Sequence, residues 1–223
     1  MKKFKILNLY ACLGGNRYKW DEVAKEAGIE IEVTAVELDP EAARLYQERF
    51  RNDIIIIADA HQYLLDNYSL FNFIWSSPPC PSHSKARYWG FGKNGKKPIY
   101  PDMKLYEEII FLKYHFEGKW IVENVNPYYE PMLNPIQKDR HTYWCNFNLP
   151  NEISKRNDTK LVQSSVMQDL CDFHDFDFRK YKGEQRLLKM ARNLVDYEAG
   201  RTIFEVALGI IKKKDEKQIS MFD

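Results

Sequence analysis

The stretch IEVTAVELDPEAARLYQERFRNDIIIIAD, residues 31–59, decides the fold. IEVTAVE (31–37) is rich in β-branched residues and ends on an acid, Glu37. Asp39-Pro40 then opens the helical run EAARLYQERF, because a proline is tolerated in the first turn of a helix and pre-sets its φ. IIIIAD (54–59) is a second apolar strand, again ending on an acid, Asp59. The same alternation continues on both sides. FKILNLYA (4–11) reads as a strand and YKWDEVAKEA (18–27) as a helix capped by Gly28. A short helix around 61–68, the strand FNFIWSS (71–77), a helix over 102–116, the strand KWIVENV (119–125) and a helix over 197–211 complete the series. Near-continuous apolar strands alternating with helices predict an α/β chain with a doubly wound, mostly parallel sheet covered on both faces.

Composition bounds what such a sheet serves. The 223 residues carry 44% apolar and 29% charged residues and a net charge of +1, ordinary for one globular domain. A nucleic-acid partner therefore has to be met by a local basic surface. No apolar run approaches the ~20 residues that span a membrane. Cys12, Cys80, Cys145 and Cys171 form no CxxC pair and no disulfide-like framework, which fits a reducing cytoplasm.

In open parallel sheets, ligands bind beyond the carboxyl ends of the strands. Three features fall at such ends. LGGN (13–16) follows the first strand, and Gly14 and Gly15 let backbone approach a ligand. Glu37 ends the second strand, where a carboxylate accepts from both hydroxyls of a ribose, and Asp59 ends the third, where it can accept from an adenine amino group. Each acid is also placed to cap the helix that follows. Together they favour an adenosine-containing ligand. The GxGxxG spacing of dinucleotide sites and the lysine of a phosphate-binding loop are both absent, which argues against NAD and ATP hydrolysis.

The fourth strand runs into IWSSPPCPSHS (74–84), where Cys80 is flanked by prolines in a rigid loop at the same edge. WIVENV places Glu123 at the end of an apolar strand, where a carboxylate is costly to bury without a purpose. A thiol and a carboxylate beside an adenosine pocket point to nucleophilic catalysis assisted by an acid.

With NLYACLGG, VELDP, DAH, SSPPCPSHS, ENV, RHTYWCNF and ARNLV in this order over most of residues 6–200, the sequence resembles the cytosine-5 DNA methyltransferases, and in particular their short phage-encoded members. The resemblance implies a Rossmann-like class I methyltransferase domain over 1–212, S-adenosyl-L-methionine as cofactor and double-stranded DNA as substrate. It implies Cys80 as nucleophile at C6 of a flipped cytosine and Glu123 at N3, with Arg140 and His141 as further catalytic candidates. It also implies cofactor contacts from Tyr10, Leu13, Gly14, Gly15, Glu37, Leu38, Asp59, Ala60, Pro79 and Asn193, and no metal. Nearby cations such as Lys85 or Arg87 are expected to favour the thiolate.

The chain departs from the family pattern at several positions. Asn8 and Cys12 stand where the family carries an acid and a glycine, Pro81 replaces the glutamine after the nucleophile, and Arg192 replaces the glycine before Asn193. His141 aligns with the base-contacting arginine. Residues 148–185 are all that remains of the target-recognition region, so a short recognition sequence is expected. The loop over 85–100 reads as mobile, with Lys93, Lys96 and Lys97 to grip backbone and Tyr88, Trp89 and Phe91 to stack.

Other readings stay open: tRNA as the methylated substrate, a degenerate member that binds DNA or cofactor without turnover, and a zinc site from Cys80-x-x-His83, Cys171-x-x-His174 or His141-x3-Cys145. Residues 213–223 read as a flexible tail. Within it, Gln218, Ile219, Ser220, Met221 and Phe222 resemble the peptide by which replication proteins bind the bacterial sliding clamp. The expected location is cytoplasmic, that of the host if the chain is phage-encoded.

Overall fold

A computed structural model of the chain describes residues 3–85, 99–154, 156 and 166–210. Its strands are β1 (Phe4–Leu9), β2 (Ile31–Glu37), β3 (Ile54–Ile57), β4 (Phe73–Ser76), β5 (Lys119–Val125), β6 (Ile136–Lys138) and β7 (His141–Cys145). Its helices are α1 (Trp20–Glu26), α2 (Pro40–Arg49), α3 (Ala60–Asn67), α4 (Lys104–His115), α5 (Met167–His174), α6 (Leu187–Asn193) and α7 (Tyr197–Ala207). All the strands join one sheet in the order β3-β2-β1-β4-β5-β7-β6. Pairing is parallel from β3 through β5, and β7 inserts antiparallel to both β5 and β6. The order reverses between β1 and β4, which puts the ligand crevice beyond their carboxyl ends.

Successive side chains of a strand point to opposite faces, and the core divides accordingly. One face carries Leu7, Leu9, Ile74 and Val122 under Leu64 of α3 and Leu105, Ile109 and Leu112 of α4. The other carries Ile6, Val33, Phe73, Trp75 and Ile121 under Trp20 of α1 and Ile203 and Phe204 of α7. Trp20 is fully buried against the rings of Phe73, Trp75 and Phe204. A fully buried tryptophan contributes several kcal/mol to holding the two layers together.

The doubly wound, mostly parallel sheet is as read from the sequence, while α6 and the following features were not. β1 stops at Leu9 rather than running to residue 11, because Tyr10 takes a left-handed φ of 55° and turns the chain out of the sheet. The β6–β7 pair was not expected as structure, since three-residue and five-residue strands carry too little periodicity to be distinguished from loop. Part of residues 148–185 is regular, containing α5 and a 3-10 turn at Phe178–Lys180. The stacking loop with Arg87, Tyr88, Trp89, Phe91, Lys93, Lys96 and Lys97, and the clamp-like tail, lie outside the described residues. No helix among the described residues is long and apolar enough to cross a membrane.

Candidate active site

A cavity of about 860 Å³ opens at the carboxyl edge of the sheet, large enough for a cofactor and part of a substrate. Each strand end contributes to it. Tyr10 follows β1, Glu37 ends β2, Asp59 follows β3, Cys80 lies in the loop after β4, and Glu123 sits near the end of β5. Arg140, in the β6–β7 turn, His141, at the start of β7, and Asn193 of α6 also line it.

At one end, the acids are arranged to receive donors. Glu37 Oε2 accepts from the Cys12 N–H at 2.8 Å and Oε1 from the Asp39 N–H at 2.9 Å. A carboxylate has about four acceptor positions, so capacity for two hydroxyl donors remains. Burial pushes the Glu37 carboxyl up, and the backbone N–H groups of Asp39, Cys12 and Leu38 oppose that shift. The cap of α2 is Asp39, not Glu37. Asp59 does cap its helix, Oδ1 accepting from Gln62 N–H at 2.9 Å, while Oδ2 lies 3.6 Å from Lys104 Nζ and faces the cavity. The backbone N–H of Gln62, followed by the charge of Lys104, holds Asp59 below the usual carboxylate range. A diol acceptor and an amine acceptor at one end of the cavity are what the hydroxyls and amino group of an adenosine require.

The other end holds the thiol. The Cys80 carbonyl accepts from the N–H groups of His83 and Ser84, both at 3.0 Å, so the proline-flanked segment closes into a tight turn. Asn124 Nδ2 donates to Pro78 O at 3.0 Å, tying that turn to the strand that carries Glu123. Glu123 is 7% exposed, and His141 Nε2 lies 3.6 Å from its Oε1. Burial raises the Cys80 pKa above the ordinary thiol value and the Glu123 charge adds to it, while Lys189 and Arg140 pull it down. Alkylation of Cys80 by iodoacetamide, read by mass spectrometry, should therefore keep accelerating beyond pH 9 instead of levelling off near neutrality. Glu123→Gln, by removing the charge that opposes the thiolate, should move that profile to lower pH; an unmoved profile would mean the two groups are not coupled.

Two expected cofactor contacts do not reach the cavity. Leu13 is fully buried among Leu45, Met190 and Leu194, and Gly14 packs beneath the rings of Phe50 and Tyr46. A Cβ on Gly14 would lie 2.3 Å from Phe50 Cε2, and one on Gly15 would lie 2.2 Å from Val195 O. The glycine pair thus serves close packing of the loop, although Gly15 also lines the cavity. Cys12 does line it, in the left-handed region at φ 46°, where a glycine carries no steric cost. Burial, with Glu37 adding to it, pushes its thiol up to about 12.

The sequence reading missed Lys189. It stands on α6 within KMARN, four residues before Asn193, so helical spacing puts both on one face, and both line the cavity. It acts on Cys80, as Arg140 does, in the role expected of Lys85 or Arg87, the latter lying outside the described residues. Residues of the proposed target-recognition segment, Leu170, Cys171, Phe178 and Tyr181, are buried with Leu13 and Leu45 in the core beside the cofactor loop. Among the described residues, no group of three His, Cys, Asp or Glu side chains could hold a metal ion.

The family profile described as C-5 cytosine-specific DNA methylase matches residues 4–131, more than half of the chain. The chain belongs to that family. The cofactor of that family is S-adenosylmethionine. A search of curated proteins found no match. Among solved structures, the chain shares its fold with the methyltransferase EhMeth of Entamoeba histolytica, at 10% identity and a TM-score of 0.54 over 96% of this chain and 100% of that one. It also matches a mutant of Spodoptera frugiperda DNMT2, at 23% identity and a TM-score of 0.38, over 55% of this chain. The chain spans 36% of that protein's length. A structure described as a prophage-encoded DNA modification methyltransferase of Escherichia coli matches at 15% identity and a TM-score of 0.41, over 68% of this chain and 50% of that one.

Proposed function

We propose that the protein methylates cytosine at C5 in duplex DNA, with Cys80 as nucleophile and Glu123 as the acid that activates the base. The observation that carries this reading is that a thiol and a nearly buried carboxylate line one cavity, beside a second pair of carboxylates suited to adenosine. Glu37 is assigned to the ribose hydroxyls and Asp59 to the adenine amino group. Tyr10, Leu38, Ala60, Pro79 and Asn193 are assigned to the walls around the cofactor. S-adenosylmethionine supplies, when bound, an electrophilic methyl group.

The chain's own groups do the rest. The target base leaves the helix stack, because its ring face is otherwise covered. Glu123 protonates N3, which drains electrons from the ring and makes C6 electrophilic, and Cys80 thiolate forms the C6–S bond. C5 becomes an enamine carbon able to take the methyl group. Loss of the C5 proton to a base and rupture of the C6–S bond return an aromatic cytosine, a free thiolate and the proton on N3 to the site. Protonation of N3 and formation of the C6–S bond are coupled, because the positive charge that N3 gains is what draws the sulfur electrons into the ring. The charges of Lys189 and Arg140 favour the thiolate.

The family's description names DNA, and this favours duplex DNA over tRNA. Incubation with labelled S-adenosylmethionine and either duplex DNA or tRNA should label the DNA, and bisulfite sequencing should place 5-methylcytosine in a recognition sequence of about two to four bases. Labelling confined to tRNA, or no labelling at all, would remove the reading.

A further inference from the structure

Glu108 has no part in the chemistry above, yet it is fully buried on the sheet-facing side of α4. Tyr10 Oη donates to its Oε1 at 2.6 Å and Ser76 Oγ to its Oε2 at 2.5 Å, and His61 Nδ1 lies 3.1 Å from Oε1. A buried carboxylate is costly unless each oxygen is bonded, and here both are. The three partners come from different elements. β1 and β4 are paired with Leu9 opposite Ser76, so Tyr10 and Ser76 stand side by side at the carboxyl ends of the two strands that flank the switch in strand order. His61 is the second residue of α3, next to Ala60 and Asp59.

We propose that Glu108 is a positioning residue that clamps these three elements and so sets the cofactor end of the cavity against the Cys80 end. The cofactor half of this inference rests on the function proposed above. Tyr10 is held by its hydroxyl in a left-handed backbone that a bulky residue adopts only when its surroundings impose it, and it lines the cavity. Ser76 immediately precedes the Ser77-Pro78-Pro79-Cys80 turn. His61 shares the region with Glu107 at 3.5 Å and with Lys104, whose partner is Asp59. The hydrogen bond to Glu108 raises the His61 pKa, so His61 is a donor to the clamp in its charged form also.

The test compares Glu108→Gln, Tyr10→Phe and Ser76→Ala with Glu205→Gln, which removes the charge of another buried carboxylate, bonded to Arg201 at 2.9 Å on α7. Calorimetry with S-adenosylhomocysteine should show weakening of about tenfold for Glu108→Gln and for Tyr10→Phe, the loss expected when a hydrogen bond to a charged group goes. The double variant should be no weaker than Glu108→Gln alone, since the Tyr10 contact is one of those that Glu108→Gln already disturbs. In protein without ligand, Glu108→Gln and Ser76→Ala should change the Cys80 alkylation rate several-fold. Glu205→Gln should lower Tm and leave both readouts alone. If the clamp variants also lower only Tm, Glu108 is a structural residue and the proposal is overturned. If the unmodified chain binds no S-adenosylhomocysteine, the cofactor reading fails and the clamp stands or falls on alkylation alone.

Discussion

With Cys80→Ala, methyl transfer to DNA is expected to fall by about 10⁴-fold or more, and duplex DNA carrying 5-fluorocytosine should form no covalent adduct. The size of the loss follows from the substrate. C5 of cytosine is a poor nucleophile until C6 carries an added group, and no other side chain of the described cavity offers a thiol except Cys12, whose pKa is pushed up to about 12. The fluorine prevents the proton loss that frees the enzyme, so an adduct accumulates only if the C6–S bond has formed. Folding should be preserved, because the turn is held by backbone bonds to the Cys80 carbonyl and by Asn124 on Pro78, none of which uses sulfur. Glu123→Gln should be milder, about 10²- to 10³-fold, as expected for loss of a general acid with the nucleophile retained. An adduct of undiminished yield in Cys80→Ala would move the nucleophile elsewhere and end the proposed mechanism.

Why so much of this cavity was legible in the sequence has a topological cause. Parallel strands deliver all their carboxyl ends to one edge, so Glu37, Asp59, Cys80 and Glu123 could be brought together without knowing any inter-strand register. What stayed hidden depends on packing over long sequence separations. Lys189 reaches Cys80 from a helix more than a hundred residues away, and nothing local marks it. Leu13 and Gly14 carry the family motif but turn toward Phe50, Tyr46 and α6 rather than toward the ligand. Glu108 did leave a trace. In KLYEEIIFLKYH it shares the helical face of Leu105 and Leu112, while Glu107 points to solvent. An acid on an apolar stripe signals a buried partner, but its identity waits on the fold.

Arg17→Met is the substitution expected to cost most in stability, about 3–5 kcal/mol, because it leaves a buried carboxylate without its cation. Arg17 is 3% exposed and makes a two-pronged bond to Asp53, Nε to Oδ2 and Nη2 to Oδ1, each 2.9 Å. Asp53 takes a third bond from Tyr46 Oη at 2.8 Å, and the guanidinium lies 5.2 Å from the centre of the Phe50 ring. One ion pair thus ties the loop after β1 to the end of α2 and the entry to β3. The pair is not thereby a large net source of stability, since desolvating two charges offsets most of their attraction and Arg17 Nη1 has no partner among the described residues. What is large is the penalty for removing one half. Thermal unfolding should shift down by about 6–20 °C for a chain of this size. Replacing both partners, Arg17→Met with Asp53→Leu, should recover at least half of that loss, because no uncompensated charge remains. The consequence extends to the ligand: Tyr46 and Phe50 are the rings on which Gly14 rests, two residues from Cys12 and one from Gly15 in the cavity wall. The single variant should therefore weaken S-adenosylhomocysteine binding as well as the fold, and the double variant should restore both together. Recovery of Tm without recovery of affinity would show that the cofactor loop is supported by the charge pair itself and not by the rings around it.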